Sequence, residues 1–221
     1  GAMGFHAYLQ RHNIPFESAM AKSRNNKMFS FIKGEAENAT RELAVERGPC
    51  PDGASAGVRN AHLLAVAPNA SSSIICGNTS PSIEPYRANA FTQKTKSGSS
   101  LLKNEYLEHA LQEIGQDTDD VWKSIITNGG SVQHLEFLDD YTKDVFKTAV
   151  EIDQRWVIEM AADRQEKICQ SQSLNIFFPS NVSKQELHAI HMMAWKKKVK
   201  TLYYLRSEAL KRAEVQRTVI V

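Results

Sequence analysis

Two stretches of this 221-residue chain combine residue types and spacing suited to chemistry. The first is Ala67-Pro68-Asn69-Ala70-Ser71-Ser72-Ser73-Ile74, which follows a predicted strand and opens a predicted short helix. A helix N-terminus presents unpaired amides, and small hydroxyl side chains beside them let an anion approach closely, so this chemistry suits phosphate. A serine run after a proline is more often a helix cap or a solvated turn, and these residues alone do not separate the readings. The second stretch is Lys200-Thr201-Leu202-Tyr203-Tyr204-Leu205-Arg206, with two adjacent phenols in an apolar strand. Neighbouring side chains of a regular strand point to opposite faces, so simple packing sends one ring to the core and the other to the surface. A redox pair instead needs the rings to stack, which requires a local departure from strand geometry.

Other reactive side chains carry less. Cys50, Cys76 and Cys169 are odd in number, widely spaced and without the C-x-x-C spacing of a zinc or redox pair, which fits a reducing cytosol. His188 and His191 are spaced to share a helix face but lack a third ligand, so no metal site is expected. The Lys196-Lys197-Lys198 run ends a predicted helix, where cations complement the dipole, and Arg87 reads as a surface arginine, with pairing to phosphate as the alternative. Lysine and arginine total 27 against 25 acidic residues, so the net charge of +2 comes without a long basic block and argues against a nucleic-acid surface. No apolar run approaches the roughly 20 residues that span a bilayer, and no signal core follows the N-terminus. A cytoplasmic protein without a membrane partner is the expectation.

The elements that must position these residues follow from periodicity. With 42% hydrophobic and 24% charged residues, the chain has material for one sizeable core or two small ones. An amphipathic segment begins at Met3-Gly4-Phe5-His6, and a long helix, broken or not, is predicted from Phe16 to about Glu46. The glycines and prolines of residues 48–53 make a loop. The run His62 to Ala67 reads as a buried strand, Leu101 to Ile114 and Asp119 to Ile126 as short helices, and Tyr141 to Ala162 as one long helix. In that last helix Val145, Ala149, Ile152, Trp156 and Met160 form one apolar stripe. Ser171 to Phe178 is a strand, Ser183 and Glu186 form a capping box for the next helix, and Val199 to Leu205 is the last strand. Strands separated by helices predict an α/β unit with parallel strands, in one structural piece.

Taken in order, five motifs resemble one family over nearly the whole chain. They are Met3-Gly4-Phe5-His6; residues 67–73, APNASSS; Gly77-Asn78-Thr79 with Ile83-Glu84-Pro85; Gln170-Ser171-Gln172-Ser173-Leu174-Asn175; and Leu202-Tyr203-Tyr204-Leu205-Arg206. Together they are similar to the C-terminal third of class I ribonucleotide reductase large subunits. The resemblance implies that residues 1–221 are a C-terminal segment of the catalytic barrel, the later strands and helices of a ten-stranded α/β barrel that is incomplete on its own. It implies a part in the radical-based reduction of ribonucleoside diphosphates to deoxyribonucleoside diphosphates for DNA synthesis. Asn69, Ala70, Ser71 and Ser72 would hold the substrate diphosphate with backbone amides and hydroxyls, and Tyr203 and Tyr204 would carry a radical to a catalytic cysteine.

The resemblance also implies what lies elsewhere. No cofactor is expected on this chain, since the family's small subunit supplies a metal-generated radical and dNTP or ATP effectors bind outside this segment. The implied partners are the N-terminal portion of the large subunit, the small radical-generating subunit, a nucleoside diphosphate, and thioredoxin or glutaredoxin as reductant of the complete enzyme. The family's Asn-x-Cys-x-Glu loop and its C-terminal cysteine pair do not occur here, so none of the three cysteines is assigned catalysis. The chain is accordingly read as a fragment or one product of a split gene. Asn69 stands where many members have threonine or serine, and Cys169, expected to be small and buried, where many have aspartate. Glu84, in the Ile-Glu-Pro motif, is read as helping to shape the substrate pocket. A stand-alone nucleotide-binding module and an inactive remnant are the alternatives.

Overall fold

The computed structural model describes residues 2–95 and 98–207. Gly4, at a φ of 82°, starts the first helix, α1 (Phe5–Arg11). A Cβ there would stand 2.7 Å from Thr79 Oγ1, so this residue has both a conformational and a steric reason to be glycine. Ser18 accepts the Ala21 amide and caps α2 (Ala19–Arg47), which runs unbroken through Gly34 for 29 residues. A 3₁₀ turn at Pro51–Ala56 occupies the expected loop, and α3 (Ala70–Ile75) is the expected short helix after the Asn69 turn.

The middle of the chain departs from expectation. Residues 101–103 do not begin a helix; they end an antiparallel hairpin of β1 (Ala90–Thr95) and β2 (Gly98–Lys103). Asn104 then caps α4 (Glu105–Glu113) through its side chain, and Thr118 caps α5 (Asp119–Thr127). The long helix expected over Tyr141 to Ala162 is two, α6 (Asp140–Val145) and α7 (Gln154–Gln165). Between them the Thr148 amide and hydroxyl both bond Glu151 Oε2, and Asp153 accepts the Arg155 amide. These short polar side chains offer the backbone partners that a continuing helix would otherwise supply.

The last third holds β3 (Ile176–Phe178), α8 (Lys184–Lys196), capped by Ser183 as expected, and β4 (Leu205–Ser207). Strand β3 pairs in parallel with β4, Ile176 opposite Leu205. The strand expected at His62 to Ala67 contracts to a single parallel bridge between Val66 and Gln172. Residues 171 and 173 bond Val66, whereas residues 174 and 176 bond Tyr203 and Tyr204. Successive backbone groups of a strand face opposite neighbours, so the segments around 66, 170–178 and 203–207 lie side by side, all parallel. This is the expected α/β character, with the hairpin as its antiparallel exception. No helix among the described residues is long and apolar enough to cross a membrane.

Helix α7 packs on α2, α8 and β3, and the larger hydrophobic core, including Leu9, Phe16, Phe29, Ile158 and Leu174, sits among them. A second cluster of Leu107, Leu111, Trp122, Ile125 and Val145 gathers α4, α5 and α6 beside the hairpin. Within the first, Arg164 is fully buried: its Nη1 donates to Asn25 Oδ1 at 2.7 Å and its Nε to Gln172 Oε1 at 3.1 Å. One side chain thus ties α7 to α2 and to the strand before β3.

Buried amides join the two clusters. Asn104 Nδ2 donates to Gln10 Oε1 and Asn89 Oδ1, and Gln10 Nε2 donates to the Val145 carbonyl. His6, wholly buried beside them, accepts the Tyr86 amide on Nδ1 at 2.9 Å. Burial holds the His6 imidazole down at about 3, against a small opposing effect of the Val145 backbone. In the unfolded chain the same group takes a proton near pH 6.5, so below that pH the unfolded state binds the extra proton and stability falls as pH drops toward 3. We expect about 2 kcal/mol of His6-linked stability to be lost between pH 6.5 and 4.5. Urea denaturation at both pH values measures it, and a slope unchanged in His6→Asn would contradict it.

Candidate functional site

At the start of α3, Asn69 adopts a left-handed φ of 48°, which asparagine tolerates better than most residues. Its side chain does not cap the helix but donates to the Ala2 carbonyl at 3.0 Å. Ser73 is buried and bonds the Ala70 carbonyl, so the last serine of the run is structural. Ala70, Ser71 and Ser72 are exposed, and no side chain caps the helix ahead of them. Two hydroxyls and an uncapped first turn therefore face outward on a short helix whose base is fixed by Thr79 donating to the Ser73 carbonyl.

At the other sequence-derived site, the expected strand of Val199 to Leu205 starts only at Leu205. Tyr203 donates to the Leu174 carbonyl, but the next amide, that of Tyr204, goes to the side-chain Oδ1 of Asn175 at 3.0 Å. Regular pairing is thus interrupted at the tyrosines, and their rings meet with centroids 4.3 Å apart at 59°. They are 55% and 51% exposed, so neither ring is a core residue, as packing alone would have required of one. The neighbouring Tyr204 hydroxyl raises the Tyr203 phenol above the usual tyrosine value. Arg206 lays its guanidinium over the Tyr204 ring at 5.0 Å, a cation–π distance.

Glu84, read from the sequence as a residue that helps shape the substrate pocket, interacts electrostatically with Arg206. Glu84 is 4% exposed, and burial pushes its carboxyl up to about 7, opposed by Arg87, Asn175 and Arg206. Its Oε1 has no hydrogen-bond partner among the described residues. The available signal was a carboxylate held between Ile83 and Pro85, since an isolated acid in an apolar bracket is rarely buried without cause. Arg87 is exposed as expected and reaches over the Phe177 ring at 5.7 Å.

Cys169 corrects a second expectation, because it is exposed rather than buried. Its Sγ accepts the amides of Leu63 at 3.1 Å and Leu64 at 3.2 Å. Partial burial opposes ionisation of this thiol, but the backbone amides around it outweigh that and lower its pKa. An aspartate carboxylate in its place would accept the same two amides. Cys169→Asp should keep stability within about 0.5 kcal/mol, whereas Cys169→Ala, leaving two donors without their acceptor, should cost about 1 kcal/mol. Thermal unfolding of the two variants checks this, and equal losses would refute the equivalence.

The model of the family described as "Ribonucleotide reductase, barrel domain" matches residues 1–53 and 52–205. The large subunit of ribonucleoside-diphosphate reductase from Invertebrate iridescent virus 6 is 49% identical over 218 residues, which cover 97% of this chain and 23% of that protein. The corresponding subunit from Invertebrate iridescent virus 3 is 46% identical over 213 residues, 95% of this chain and 34% of that one. Among solved structures, the class Id ribonucleotide reductase alpha subunit of Actinobacillus ureae superposes with a TM-score of 0.88 at 41% identity, covering 95% of this chain and 38% of that chain. The chain therefore spans about a quarter to a third of the length of these relatives. With the parallel segments, the serine turn and the tyrosine pair in place, the match from residue 1 to residue 205 makes this chain a member of the ribonucleotide reductase barrel-domain family.

Proposed function

We propose that this chain forms the late part of the ten-stranded catalytic barrel of a ribonucleoside-diphosphate reductase large subunit, where it supplies the substrate's phosphate turn and the last tyrosines of a radical path. The observation that carries the reading is the contact of Tyr203 and Tyr204 at 4.3 Å, reached by leaving strand geometry at a half-exposed edge. Packing gains nothing from that departure, whereas a redox pair depends on it. The partners are the remainder of the large subunit, which contributes the catalytic cysteine, and the small subunit, which supplies a metal-generated radical. Thioredoxin or glutaredoxin reduces the complete enzyme, and dNTP or ATP effectors bind outside this segment.

In this reading Tyr204 gives up one electron and its phenolic proton toward the small-subunit side and then takes both from Tyr203. Tyr203 in turn takes an electron and a proton from the cysteine thiol of the remaining barrel. Each phenol ends as it began, and the radical has moved inward. The exposure of both rings fits a pair that meets a second protein surface on one side and the remainder of the barrel on the other.

The diphosphate lies against Ser71, Ser72 and the amides from Asn69 through Ala70 to Ser72, where anionic oxygens accept charge-assisted hydrogen bonds. Double replacement of Ser71 and Ser72 by alanine should weaken nucleoside-diphosphate binding in the assembled enzyme by about 1.5 to 3 kcal/mol. Both side chains are exposed, so folding should change by less than about 0.5 kcal/mol. Equilibrium binding of a nucleoside diphosphate to the double variant tests this half of the reading, and unchanged affinity would remove it. The other half is tested by phenylalanine at either tyrosine.

A further inference from the structure

The backbone beside the tyrosine pair is out of step with its neighbour by one residue. In a regular parallel ladder a single residue donates its N–H to the residue before its opposite number and accepts, on its own C=O, from the residue after it. Opposite Asn175 these two tasks fall on two residues. Tyr203 donates to the Leu174 carbonyl at 2.8 Å, whereas it is Tyr204 that accepts the Ile176 amide, at 3.0 Å. Regular pairing then resumes, with Leu205 opposite Ile176. The tyrosine segment therefore carries one extra residue against Asn175, which is a β-bulge, a device that bends a strand and re-aims its side chains.

The bulge leaves one amide over, that of Tyr204. Asn175, 3% exposed, takes it on its side-chain Oδ1 at 3.0 Å. The residue that faces the bulge thus also completes its hydrogen bonding, and few side chains have the form for both tasks. Asparagine and aspartate hold an acceptor one carbon beyond Cβ; leucine has the shape without the oxygen, and glutamine carries the oxygen a carbon further out. The two rings meet with centroids 4.3 Å apart, where unbroken alternation would send them to opposite faces. At 55% and 51% exposure they have little packing around them to hold that contact, so the backbone beneath them has to. Without the Asn175 oxygen the Tyr204 N–H loses its partner, and closing the bulge restores the alternation that parts the rings.

We propose that Asn175 is a positioning residue for the tyrosine pair: by accepting the surplus Tyr204 amide it fixes the bulge that brings the two phenols together. The effect on turnover rests on the radical reading of Tyr203 and Tyr204; the effect on ring geometry does not.

The test places 3-fluorotyrosine at position 203 or 204 of the full chain and follows its fluorine resonance, with hydrogen exchange at the Tyr204 amide, in Asn175→Asp and Asn175→Leu. Aspartate keeps an oxygen at the same reach and should leave both readings as in the unmodified chain. In the leucine chain the amide should exchange about tenfold faster, the equivalent of one hydrogen bond. Both resonances should move toward those of a solvated tyrosine, and the raised titration of Tyr203, which depends on the neighbouring Tyr204 hydroxyl, should fall back. Should the leucine chain not fold, an ester in place of the peptide bond before Tyr204 removes the same hydrogen bond without touching Asn175. In the assembled enzyme Asn175→Leu should lower kcat by about 100-fold, the scale of an ångström-level misplacement, with KM for the nucleoside diphosphate unchanged. Resonances that stay in place once the hydrogen bond is gone, or that move in the aspartate chain as well, would overturn the positioning role and leave the radical reading untouched. So would an unchanged kcat in Asn175→Leu where Tyr203→Phe is inactive. Resonances that move as expected, alongside normal turnover in Tyr203→Phe, would uphold the positioning and remove the radical reading.

Discussion

Replacing Tyr203 or Tyr204 with phenylalanine is expected to abolish ribonucleotide reduction in the assembled enzyme while leaving this chain folded. Phenylalanine keeps the ring and its contact area but has no O–H to give up, so the change isolates redox chemistry from packing. Its structural cost is small because both hydroxyls lie on half-exposed rings where water competes for them, and the loss should stay below about 1 kcal/mol. Alanine at either position removes the ring as well and offers the contrast. If packing were the reason for the pair, alanine would damage folding and phenylalanine would change neither folding nor rate. Single-turnover measurements on the two phenylalanine variants decide the matter, and a rate near that of the unmodified enzyme in either would end the radical assignment.

The second large effect is expected at Arg164. Alanine there should destabilise the fold by about 3 kcal/mol or more, since it leaves the buried oxygens of Asn25 and Gln172 without donors and opens a cavity beside Phe29. Domains are stable by only about 5 to 15 kcal/mol, so this is a large fraction of the total. Arg164→Lys should recover little, because the two acceptors are met by separate nitrogens of a planar fork and a single ammonium has no such geometry. Burial holds the Arg164 guanidinium at about 9, below its ordinary value, with Asp163 acting weakly against the shift. Urea denaturation of the alanine and lysine variants gives both numbers, and a loss under about 1 kcal/mol in the alanine chain would show that the network is dispensable.

What could be read from the sequence was local, and what could not be read depended on distant partners. The Ser183 cap was legible because cap chemistry acts within a few residues. The tyrosine motif was legible as a motif, but the break in strand pairing beside its rings was not, because there the Tyr204 amide goes to Asn175, 29 residues earlier in the chain. Glu84 stood inside a recognisable motif, yet its burial is a property of the folded chain that neighbouring residues do not reveal. The single helix expected over Tyr141 to Ala162 failed for a different reason. Val145, Ala149, Ile152 and Met160 are all buried, as their spacing suggested, but they reach the interior from two helices and the turn between them. The cap that restarts the chain inside the run, Asp153, was visible in the sequence and outweighed its periodicity. Strand β1 escaped notice because Thr92, Gln93, Lys94 and Thr95 show no alternation of apolar and polar residues.

The pairing of α2 with α7 has a consequence for biosynthesis. Lys22 meets Glu159, 137 residues later, and Asn25 meets Met160 and Arg164 at separations of 135 and 139. At roughly 5 to 20 residues per second, a ribosome needs on the order of ten seconds to add that much chain. Throughout that interval Ala21 and Phe29 leave the exit tunnel with their covering helix not yet made, although Ser18 can already cap the first turn. A nascent chain stalled before residue 150 should therefore display α2 as a helix with an open apolar stripe, a ready ligand for ribosome-associated chaperones, and one stalled well past residue 165 should not.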